Sequence, residues 1–158
     1  MISSVPFTNY LKKISINDNQ FVKDQVVINP NAKSSKVIDR IMTIKLYAEV
    51  DSSLQWDFQA LQDIKKIKVG ENNIIKYEGK NISTKTVTAT ADFIAYPKKI
   101  TPYLIKTECF CFTEQTLAPG ESQTFTLVFF LDPSLDLDKD LDNIEDLIFT
   151  YQLSEYKS

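Results

Sequence analysis

"IMTIKLYAEV", residues 41–50, decides the fold. Met42, Ile44, Leu46, Ala48 and Val50 alternate with Thr43, Lys45, Tyr47 and Glu49. Successive side chains of a strand point to opposite faces, so this stretch is a half-buried strand with one apolar side. "TVTATADFIAY" (86–96) repeats the pattern, with Val87, Ala89, Ala91, Phe93 and Ala95 inward and Thr86, Thr88, Thr90 and Asp92 outward. "TFTLVFFL" (124–131) places Phe125, Leu127, Phe129 and Leu131 on one side. Further strands are expected at 54–59, 63–69, 73–78, 103–112 and 147–153. The turn signals "VGENN", "YEGKN", "YPKKITP", "LAPGES" and "LDPS" separate them. Trp56, the one tryptophan, is assigned to the core. Seven or eight short antiparallel strands at this spacing predict an all-β, immunoglobulin-like β-sandwich over residues 41–158. Residues 1–40 are polar with apolar islands and read as an N-terminal arm. There are no repeats and no low-complexity tracts.

Composition bounds the function. The 158 residues are 43% hydrophobic and 25% charged, as in an ordinary soluble domain able to bury a core without disulfide staples. The longest strongly apolar run, "LVFFL" (127–131), is far short of the ~20 residues of a membrane helix. "MISSVPFTNYLK" has no apolar segment of a signal peptide. The net charge of −3 does not favour nucleic acid. Residues 1–112 nevertheless carry +5 and residues 113–158 carry −8. The acidic part peaks in "DPSLDLDKDLDNIEDL" (132–147), read as a solvated loop, with a docking surface for a basic partner as the second reading. Histidine is absent. That removes His-based acid–base chemistry, Ser-His-Asp and Cys-His nucleophiles, and His-rich metal sites, so a metal must be held by sulfur or oxygen.

Both cysteines, Cys109 and Cys111, fall in "TECFCFTEQTLAPGE" (107–121). On a strand they project side by side, with Glu108, Phe110 and Phe112 on the other face. Their Cα atoms would then lie ~6.6 Å apart, at the far edge of the ~4.4–6.8 Å usual for a disulfide. A stabilising structural disulfide is therefore the poorest reading. Incidental core thiols, a redox dithiol and a metal clip remain. Two thiolates without histidine suit Cu(I) before Zn(II), since zinc takes four ligands and one chain offers two. Of the two thioethers, Met1 and Met42, the second lies on an apolar strand face and is read as core.

"CFCFTEQTLAPGE" (109–121) resembles the copper-site segment of the cytochrome c oxidase assembly protein family called CtaG in bacteria. The resemblance extends upstream through Tyr103 and Lys106 of "YLIKTECFCF", "LQWDFQ" (54–59), "VGENNIIKYEGKNIS" (69–83) and "TVTATADFIAYP" (86–97). Downstream it includes "FFLDP" (129–133) and "IFTYQL" (148–153), and "VPF" (5–7) looks like the family's motif just after its membrane helix. It implies a non-enzymatic, membrane-anchored Cu(I) chaperone whose immunoglobulin-like domain faces the periplasm from the inner membrane. Such a chaperone takes copper from a donor protein and passes it to the copper B centre in subunit I of cytochrome c oxidase. Carried over by position, Cys109 and Cys111 become the copper ligands. The resemblance also implies dimers in which two chains share copper, which would raise the thiolates from two to four. The domain is accordingly expected to be largely monomeric without metal and to dimerise with Cu(I).

Two departures stand out. Lys12 occupies the place of the family's additional cysteine, and the sequence opens almost at the "VPF" motif, where the family has a preceding membrane helix. The remaining motif residues have plainer readings. Pro119-Gly120 is a type II turn. Phe110 and Phe112 anchor the Cys strand. Lys106, Glu114 and Gln115 are surface polar residues within reach of tuning the thiolates, and the "NIS" sequon at 81–83 is chance. The alternatives to copper carriage are a thiol–disulfide oxidoreductase using the same pair and a structural scaffold in oxidase assembly.

Overall fold

The structure is a computed structural model, and it describes residues 27–110 and 113–157. Ten strands are present among them. They are β1 (Val27–Ile28), β2 (Ile41–Val50), β3 (Trp56–Ala60), β4 (Ile64–Lys68), β5 (Asn73–Asn81), β6 (Val87–Tyr96), β7 (Leu104–Cys109), β8 (Gln115–Leu117), β9 (Ser122–Leu131) and β10 (Asp146–Glu155). They form two five-stranded sheets, ordered β1-β7-β9-β5-β3 and β4-β2-β10-β6-β8. The apolar faces of the two sheets close on one core, so the fold is an all-β sandwich.

The alternation read from the sequence is the alternation of burial. Met42, Ile44 and Leu46 of β2 are buried, as are Ala89, Ala91, Phe93 and Ala95 of β6 and Phe125, Leu127, Phe129 and Leu131 of β9. Trp56 is also core. Three points differ from expectation. Two pairings are parallel rather than antiparallel: β2 with β10, from Thr43↔Asp146 to Val50↔Leu153, and β1 with β7. Alternation within one strand does not encode the direction of its neighbour. The short strands β1 and β8 were not anticipated, because two or three residues are too few to show a period. Asp92, expected outward on β6, is fully buried. β1 lies within the stretch read as an arm and extends the sheet edge beside β7.

The acidic segment is pinned rather than loose. Two 3-10 turns, Pro133–Leu137 and Lys139–Leu141, bury Leu135 and Leu141. Arg40, the only arginine, pairs with Asp136 at 3.1 Å and donates to the carbonyls of Leu141 and Ile144. Tyr103, just before β7, donates its hydroxyl to Asp138 at 2.7 Å. That bond holds the Tyr103 phenol above its ordinary range and the Asp138 carboxyl below its own.

Candidate functional site

Cys109 is the last residue of β7, and a bulge decides where its sulfur goes. β7 pairs with β9 through Lys106↔Phe129, then shifts register, and resumes with Glu108↔Val128 and Cys109↔Leu127. Residues directly opposite on an antiparallel pair share a face. Phe129 and Leu127 are both inward, so Lys106 and Cys109 are inward as well. Three positions apart on a regular strand, the two would face opposite ways. The extra residue of a bulge re-aims the side chains after it, and here Thr107 takes that place. Glu108 is left exposed.

The strand then stops. Phe110 is in 3-10 conformation and is buried at 8% exposure. Its ring stacks on Phe125 at 5.1 Å and lies 4.6 Å from that of Tyr151, with Tyr77 and Phe58 around it. It anchors the end of β7 in the core, as the sequence suggests. Phe112 and Cys111 lie outside the described residues. Gln115 braces the segment, donating from Nε2 to the carbonyls of Phe110 and Thr113 and, at 2.9 Å, to Thr113 Oγ1. Glu114 is exposed. At the far end Gly120 has φ +79° and Glu121 N–H donates to Ala118 O at 2.9 Å, the geometry of the expected type II turn.

Cys109 is half-buried and takes part in a disulfide; the sequence holds one other cysteine, Cys111. This differs from the disfavoured disulfide inferred from strand geometry. That inference assumed an extended chain through Cys111, whereas β7 ends at Cys109 and the backbone tightens at Phe110. The Cys109 sulfur receives two donors. Tyr151 O–H reaches it at 3.1 Å and Lys106 Nζ at 3.7 Å. Lys106 also donates to the Tyr151 oxygen at 3.3 Å. Donors of this kind stabilise negative charge on the sulfur.

Lys106 corrects the surface reading outright, being only 1% exposed. The bulge and the pairing with Phe129 turn it inward, and its ammonium stands 3.4 Å from the centroid of the Phe93 ring. Tyr151 is fully buried, and burial pushes its phenol well above its ordinary range, with Tyr77 adding to the effect. Burial likewise raises Tyr77, whose ring centroid is 5.1 Å from that of Tyr151. Tyr151 was not singled out from sequence. Its signal was present, however, as a phenol placed in the inward series Leu147, Phe149, Tyr151, Leu153. No cluster of three or more His, Cys, Asp or Glu side chains able to hold a metal occurs among the described residues.

The comparisons agree with this motif. Residues 4–155 match the family described as "Cytochrome c oxidase assembly protein CtaG/Cox11". The chain is 39% identical over 120 residues to the cytochrome c oxidase assembly protein CtaG of Paracoccus denitrificans, covering 76% of this chain and 62% of that protein. It is 34% identical over 118 residues to the protein of the same name from Brucella anthropi, covering 75% of this chain and 58% of that protein. The Brucella ovis protein matches equally, at 34% over 118 residues. The matched region thus spans about three fifths of each of these relatives. No helix among the described residues is long and apolar enough to cross a membrane. With a match running nearly end to end and the Cys109–Glu121 segment within it, the chain belongs to the cytochrome c oxidase assembly protein CtaG/Cox11 family.

Proposed function

We propose that this domain is a non-enzymatic Cu(I) carrier in cytochrome c oxidase assembly, with Cys109 and Cys111 as the copper ligands. It takes Cu(I) from a donor protein and delivers it to the copper B centre in subunit I. It works from the periplasmic side of the inner membrane, held there by a membrane anchor. The observation that carries the reading is the placement of Cys109 in a family motif: a half-buried sulfur at a strand end, facing two hydrogen-bond donors, with the only other cysteine two positions away. Soft thiolates without histidine suit Cu(I).

Each thiol gives up its proton to solvent when the metal binds, so affinity falls as pH falls. Two sulfurs leave a copper ion open to further donors, and a second chain brings the thiolates to four. The expected assembly is a copper-linked homodimer, with the metal–sulfur bonds offsetting the cost of association. Anaerobic titration of the reduced protein with Cu(I) against a chelator of moderate affinity tests the reading. Retention of copper is expected, and failure to retain it would sink the proposal.

The disulfide at Cys109 favours one second reading, a thiol–disulfide oxidoreductase. Its mark would be rapid turnover of disulfide substrates by the dithiol form. The copper reading expects at most slow stoichiometric exchange.

A further inference from the structure

This inference rests on the copper reading and concerns how firmly Cys109 holds its metal. Tyr151 belongs to the inward series of β10, between Phe149 and Leu153, and is fully buried. Its ring is locked among Phe93, Phe110 and Tyr77, with centroids 4.9, 4.6 and 5.1 Å away. A buried hydroxyl is costly unless it is hydrogen-bonded, and this one is bonded on both sides. Lys106 Nζ donates to its oxygen at 3.3 Å, and an ammonium accepts nothing in return. The phenolic proton therefore turns away from Lys106, and Cys109 Sγ lies 3.1 Å off. A disulfide sulfur carries no proton, so the phenol is the donor in that bond.

We propose that Tyr151 is a positioning residue for copper release: its hydroxyl, held against Cys109 Sγ, weakens the donation of that sulfur to Cu(I), so that the ion can be handed on. A hydrogen bond to a metal-bound thiolate draws electron density from the sulfur, and partners of this kind tune how a ligand holds its metal. Tyr77 supplies the control. It is buried in the same aromatic cluster with its ring against that of Tyr151, but its hydroxyl has no hydrogen-bond partner among the described residues. Removing the oxygen at 77 changes the core without touching a bond to sulfur. Removing it at 151 takes away the donor to Cys109.

The test uses reduced protein loaded anaerobically with Cu(I) and then mixed with an excess of a diimine chelator. Tyr151→Phe should release Cu(I) roughly three- to tenfold more slowly than wild type. Its sulfur-to-copper absorption should move to lower energy. Tyr77→Phe should match wild type in both. A merely structural role for Tyr151 predicts the opposite sign, since a loosened site loses copper faster. Where Tyr151→Phe does not fold, a fluorinated tyrosine placed at 151 is a stronger donor of nearly the same shape and should speed release. Release at the wild-type rate or faster from folded Tyr151→Phe, or no acceleration by the fluorinated side chain, overturns this inference and leaves the copper reading standing. Wild-type protein that takes up no Cu(I) defeats the copper reading, and this inference with it.

Discussion

Two buried polar side chains stand at the two ends of the Cys109–Glu121 segment, in different surroundings. Asn81 holds the far end. Its Nδ2 donates to the carbonyls of Lys85 at 2.8 Å and Leu117 at 2.9 Å, and its Oδ1 accepts from Ser83 N at 2.8 Å and Ser83 Oγ at 2.7 Å. Its own carbonyl accepts from Gly120 N at 2.8 Å. A neutral amide with all four side-chain hydrogen bonds made, three of them to backbone, is a structural plug. It also leaves no room for a glycan at the "NIS" sequon, because Asn81 is 0% exposed. Lys106 stands at the near end, with a sulfur, a phenol oxygen and two ring faces among its partners. The difference separates a buried amide closed into its own turn from a buried ammonium set beside a sulfur.

Phe110 anchors the near end in the core, so its removal has the largest expected effect. It packs among Phe58, Tyr77, Phe125 and Tyr151. Phe110→Ala should destabilise the domain by about 3–5 kcal/mol in urea unfolding. A loss below about 1 kcal/mol would mean that this ring is not the anchor of the Cys109 end. Asn81→Ala comes next. It strands the Leu117 and Lys85 carbonyls and frees the Ser83 turn, and it should cost about 2–3 kcal/mol. The folded fraction should bind Cu(I) as wild type does, and a matching fall in intrinsic affinity would break the division between the two ends. Gly120→Ala is the mildest. Nothing lies within 4 Å of the added Cβ, so only the φ of +79° opposes it. The expected cost is about 1 kcal/mol, readable as a small drop in urea midpoint with copper binding unchanged.

Much of the sandwich was legible because burial on one face writes a period of two. The ranges 41–50, 86–96 and 124–131 correspond closely to β2, β6 and β9. What alternation cannot write is which strand lies alongside, hence the unforeseen parallel β2–β10 pair, or what covers an outward residue, hence the burial of Asp92. At the site, the motif named Cys109 and marked Lys106. The bulge at Thr107 was not readable, since it is a property of the pairing with β9. Without it, Lys106 and Cys109 fall on opposite faces and the lysine looks like solvent-facing polarity. Tyr151, 42 residues beyond Cys109, could be joined to it only by the fold.

The most direct measurement is native mass spectrometry of the reduced protein after anaerobic Cu(I) loading, run beside the Cys109→Ser/Cys111→Ser double variant. Wild-type protein should carry copper, with the metal concentrated in a dimeric species, and the double variant should remain monomeric and metal-free. Equal copper on both proteins, or none on the wild type, would contradict copper carriage by this cysteine pair.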